Sequence, residues 1–106
     1  MALLYRERAQ TEAALNALAC AVDLLEALVA DFPATPRYRC DLAIALRERG
    51  QLLLSSDRTV SRRSLEAAQK HLEKLVESSP EDKSFVHELE ATRQQLRAID
   101  ESAEGS

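Results

Sequence analysis

LACAVDLLEALVADFP (18–33) and LEAAQKHLEKLVESSP (65–80) decide the fold of this 106-residue chain. Laid one under the other, they agree at Leu18/Leu65, Ala21/Ala68, Leu25/Leu72, Glu26/Glu73, Leu28/Leu75, Val29/Val76 and Pro33/Pro80. The match, 47 residues on, continues at Tyr38/Phe85 and Leu42/Leu89. The shared apolar residues recur at steps of three and four, which marks one face of a helix. A helical pattern repeating at this period implies stacked hairpins that bury their apolar faces only against each other. The fold class is therefore all-α, antiparallel helical hairpins, arranged as a repeat array or as a four-helix bundle.

Working outward, residues 2–31 contain neither Gly nor Pro. Leu15, Leu18, Val22, Leu25, Val29 and Phe32 form one stripe, and Pro33 and Pro36 end the helix. Thr35 is placed to cap a second helix over 36–54, with Pro36 in its first turn. That helix should bury Tyr38, Leu42, Ala45, Leu46 and Leu53. A turn at 55–58 leads to a third helix over 59–78, carrying Leu65, Ala68, Leu72, Leu75 and Val76. Ser79 and Pro80, followed by two carboxylates, predict the start of a fourth helix over 80–100. Its stripe is Phe85, Leu89, Thr92, Leu96 and Ile99. Residues 1–101 read as one domain, and 102–106 as a disordered tail.

The second and third helices resemble a tetratricopeptide repeat, through Leu46, Arg49-Gly50 and Leu53, then Ser61, Leu65, Ala68 and Pro80. Gly50 would let the partner helix approach closely, at a cost of about 1 kcal/mol in helix propensity. Ala14, Leu18, Ala21 and Pro33 supply half of a preceding unit, and 85–99 half of a following one. The wording around 28–43 is similar to repeats that follow the kinase domain in some bacterial serine/threonine kinases, which implies a signalling context. Arg49 and Arg97 depart from the family pattern, which keeps a plain bundle open. The resemblance implies a concave groove that binds a protein or peptide, lined by Ile44, Arg47, Gln51 and Leu54, with Gln94 in the last unit.

The remaining chemistry is sparse. His87-Glu88-Leu89-Glu90-Ala91 begins like a zinc-protease helix but has Ala91 where the second histidine belongs. Two glycines cannot supply a phosphate-covering loop, and no nucleophile pairs with His71. No enzymatic activity, metal or cofactor is expected. Charge is uneven, with acidic ends flanking a basic middle over 37–63 within a net −4. This argues against nucleic acid as the main partner and leaves anion binding by Arg58, Arg62 and Arg63 as a weaker reading. Pairing of Arg62 and Arg63 with Glu66 is the plainer one. Cys20 and Cys40 are expected to be buried, reduced thiols in a cytoplasmic protein. No unbroken apolar run approaches the roughly 20 residues a bilayer needs, so no membrane segment is expected.

The first helix carries one more expectation. At about 45 Å it outreaches its neighbours, so roughly three turns near Leu3, Leu4 and Tyr5 should overhang or the helix should break. It also lacks the partner that a half-repeat requires. Self-association through Leu4, Leu15, Leu18 and Val22, as a two-fold homodimer, follows as an expectation. A dimerising helical bundle or coiled coil without a groove is the alternative to a peptide-binding scaffold.

Overall fold

A computed structural model describes residues 2–104, with side-chain surroundings for residues 8–101. Four helices follow one another: α1 (Ala2–Asp31), α2 (Pro36–Leu53), α3 (Arg58–Ser78) and α4 (Lys83–Glu104). They pack antiparallel in sequence order, α1 on α2, α2 on α3 and α3 on α4, with the α2–α3 interface the most extensive. Among the described residues no interface of similar extent joins α1 to α4. The stack measures 48 × 32 × 20 Å, its long dimension set by the unbroken 30-residue α1.

The core lies between α2 and α3. Leu42, Leu65 and Leu72 are each 1% exposed, and Ala43 and Ala68 are fully covered. Removing each such leucine from water contributes roughly 1.5–3 kcal/mol. Val22, Leu75 and Leu89 extend this cluster toward the outer helices. Of the expected α2 set, Leu42, Ala45 and Leu46 are buried, whereas Tyr38 and Leu53 are half-buried. Ala43 joins the core as well, fully covered beside Leu42. In α4, Leu89, Thr92 and Ile99 are buried, and the Thr92 hydroxyl donates to the Glu88 carbonyl at 2.8 Å.

The helix ends differ from expectation in instructive ways. Thr35 does occupy the N-cap of α2, ahead of Pro36, but its side chain makes no capping bond. α3 begins at Arg58, because Asp57 accepts from the Val60 N–H at 3.1 Å and caps it. α4 starts at Lys83, not at residue 80. Ser79 is instead the C-cap of α3, and its carbonyl accepts from the Asp82 N–H in a turn. Asp82 then caps α4, accepting from the Ser84 N–H at 3.0 Å and the Ser84 hydroxyl at 2.6 Å. These bonds hold the Asp82 carboxyl below its ordinary value, the Ser84 hydroxyl contributing most. The backbone of α4 stays helical to Glu104, so residues 102–104 of the expected tail belong to the helix, and residues 105–106 lie outside those described.

Candidate interaction surfaces

The expected groove lies on the α2 side, and its members do not form one site. Ile44 is half-buried, Gln51 is exposed, and Leu54 is 44% exposed at the C-cap of α2. Arg47 is not free to take a ligand carboxylate, because it forms an ion pair with Glu88 of α4. Both partners are partly buried, at 19% and 25% side-chain exposure, so the pair ties α2 to α4. Gln94 lies elsewhere. With Gln69, Arg93 and Arg97 it lines an open hollow of about 540 Å³ on the α3–α4 side. The α4 residue that does reach α2 is Glu88. Gln95, two turns further along the same helical face, has its side-chain oxygen buried without a hydrogen bond. Charge opposite Arg47 was the only signal in the sequence that could have singled out Glu88.

The α2–α3 contact is closest at Gly50. A Cβ there would stand 2.8 Å from Leu65 Cγ and 3.1 Å from the Ser61 carbonyl oxygen. The buried Ser61 hydroxyl donates to the Gly50 carbonyl at 2.5 Å, so the approach is fastened as well as tight. At the other end of the interface Arg39 donates to His71 Nδ1 at 3.1 Å. Burial, then the Arg39 and Lys74 charges, pushes the His71 pKa down, so the ring is held neutral as an acceptor. Burial, reinforced by Asp41, Glu88 and Asp82, pushes the Cys40 thiol up. Both cysteines are free, but Cys20 is exposed, not buried, because it points away from α2.

α1 divides its apolar residues between two sides. Leu18, Val22, Leu25 and Val29 pack toward the core, with Val22 5% exposed. Leu18 and Val22 are thereby used within the chain, which removes them from the expected self-association surface. Leu15 is half-buried where α1 passes Leu52 and Ser55, and Leu4 lies outside the residues whose side chains are described. The expected break does not occur, and any overhang falls on those same undescribed side chains. α1 presents Leu24 outward at 62% exposure, and Phe32, just past the helix end, stands 53% exposed. The Phe32 ring lies 6.0 Å from that of Tyr38, centroid to centroid.

α1 is also long and apolar enough, by length and composition, to cross a membrane over Arg8–Asp31, with a mean hydropathy of 1.8 in its most apolar window. Counting unbroken apolar residues missed this, because Asp23 and Glu26 interrupt the run without outweighing its Ala, Leu and Val. In the basic middle, Arg62 is committed to Glu66 at 3.0 Å and Asp100 at 2.6 Å. Arg93 reaches Glu73 at 3.4 Å, a second link from α4 to α3. Among the described residues no three His, Cys, Asp or Glu side chains are grouped to hold a metal ion. The chain matches no family model, no curated protein and no solved structure.

Proposed function

We propose that the chain is a non-enzymatic protein–protein interaction module of tetratricopeptide-like construction. The observation that carries this reading is the uncovered side of α1, where Leu24, and Phe32 just past the helix end, stand exposed in a stack whose extensive interfaces join helices in sequence order. A helix apolar on more than one side is ordinarily covered on more than one side. Exposed apolar surface of this kind normally serves association. The close Gly50–Ser61–Leu65 approach supports the repeat-like construction, since it sits where that family places its small residues.

Of the two candidate surfaces, α1 is favoured over the groove, because Glu88 already answers Arg47. Anion or nucleic-acid binding through the arginines is weaker, since Arg62 is spent on Glu66 and Asp100. The test is capture of protein clients by the full chain, comparing wild type with Leu24→Glu and with Gln51→Ala. Loss of a client only in Leu24→Glu supports docking on α1. Loss only in Gln51→Ala moves the site to the groove. A client that tolerates both variants defeats the proposal.

A further inference from the structure

The repeat itself indicates which face of α1 lacks its neighbour. On α3, Ser61, Leu65 and His71 meet α2, through Gly50 and Arg39. Their counterparts on α1 are Ala14, Leu18 and Leu24. Ala17, Ala21 and Leu28 lie along the same side of α1, about a quarter turn from the stripe that packs on α2. Among the described residues no helix forms an extensive interface there. Ala17 and Leu24 are exposed, and Ala14, Ala21 and Leu28 are only half-covered.

Two properties of this face identify its occupant. It is nearly uncharged: Glu12, Asp23 and Glu26 fall on the opposite side of the helix, and only Asp31, two turns past Leu24, stands at its C-terminal end. It is also graded in size: Ala14, Ala17 and Ala21 are followed by Leu24, Leu28 and Phe32. We infer that this face pairs antiparallel with the same face of a second copy, about a two-fold axis at Ala21. That pairing sets Ala14 against the second copy's Leu28 and Ala17 beside its Leu24, so each large side chain meets a small one. Close-packed interfaces require such complementarity, and a two-fold interface must be complementary to itself. A parallel pair would oppose leucine to leucine at one end and leave gaps between alanines at the other. A lipid surface gives no reason for the gradient from small to large side chains. The inference rests on the interaction-module reading above and names its partner.

Sedimentation equilibrium of the full chain tests it. A monomer–dimer equilibrium is expected, with at least a tenfold weaker association for Leu24→Glu, whose helicity should be unchanged because that position is already exposed in the monomer. Geometry is tested with both native cysteines changed to serine. Ala14→Cys mixed with Leu28→Cys should form a mixed disulfide on oxidation, and Ala14→Cys alone should not. A wild type that stays monomeric overturns the pairing, as does a dimer indifferent to Leu24→Glu. Faster cross-linking of Ala14→Cys to itself overturns the antiparallel arrangement. Flotation of wild type with phosphatidylglycerol vesicles, lost in Leu24→Glu while no dimer is found, would assign the face to lipid instead. A monomeric wild type that loses a protein client on Leu24→Glu would sink the pairing alone and leave the module reading standing.

Discussion

α1 and α3 carry the same apolar pattern and reach different degrees of burial. In α3, Leu65, Ala68, Leu72 and Leu75 are all at or below 3% exposure. Their repeat counterparts Leu18, Ala21, Leu25 and Leu28 remain only half-buried. The helices do not differ in apolar content at these positions. They differ in neighbours, since α3 lies between α2 and α4 whereas, among the described residues, α1 has an extensive interface with α2 alone. A sequence stripe thus fixes which side of a helix seeks cover, and the stacking order decides how much it receives.

The largest expected effect comes from truncating one leucine in each helix. Leu72→Ala should cost about 3–4 kcal/mol in urea unfolding, because a cavity opens where both neighbours are close. Leu25→Ala, read in the Leu24→Glu background so that association does not contribute, should cost about 1–2 kcal/mol, since water already reaches the site. Equal losses would break the contrast between the two helices.

Close approach can be probed in the same way. Gly50→Val should destabilise by about 2 kcal/mol, since the added atoms meet Leu65 and the Ser61 carbonyl and neither can retreat in a filled core. Ala14→Leu, at the α1 position matching Ser61, should change the monomer by less than about 0.5 kcal/mol, because that position is only half-covered and leaves the longer side chain room. A double-mutant cycle on Arg47 and Glu88 should return a coupling of about 1 kcal/mol, modest because the pair is still partly open to water. A value near zero would mean that α4 is held by apolar packing on α3 without help from α2.

The smallest effect is titration of His71, for which α1 has only Leu24. Its folded pKa lies below the ordinary 6.5, so the unfolded chain binds the proton first as pH falls. Stability should therefore be fully retained above about pH 6.5 and decline as pH drops from there toward the folded value. His71→Gln should flatten that segment of the stability–pH curve. A curve that rises with acidification in wild type would show that the Arg39 contact does not hold the ring neutral.

Much of this was legible in the residues. The four helices and the core faces of α3 and α4 follow from spacing, and the nearness of Gly50 to Leu65 is what the resemblance to a tetratricopeptide repeat implies. Helix starts were misplaced at α3 and α4 because Asp57, Ser79 and Asp82 are all competent caps. Which of them serves depends on the turn that three-dimensional packing imposes. The groove residues show a related limit: repeat spacing transfers a position such as Gln94 from Arg47, but not the cross-helix partner, which is Glu88. Leu18 and Val22 were assigned to self-association although a helix end in a stack must first satisfy its own neighbour.

Local spacing by itself determined that the chain forms helices, where their apolar sides lie, and that two of them repeat. Those properties depend on residues three and four apart, which one strand of text contains. Only the tertiary structure decided that Arg47 is answered by Glu88, that Cys20 faces out, and that the uncovered side of α1 runs through Ala17, Ala21 and Leu24. Each of these depends on which helix stands next to which, and packing between distant segments is not written in the spacing of any one of them.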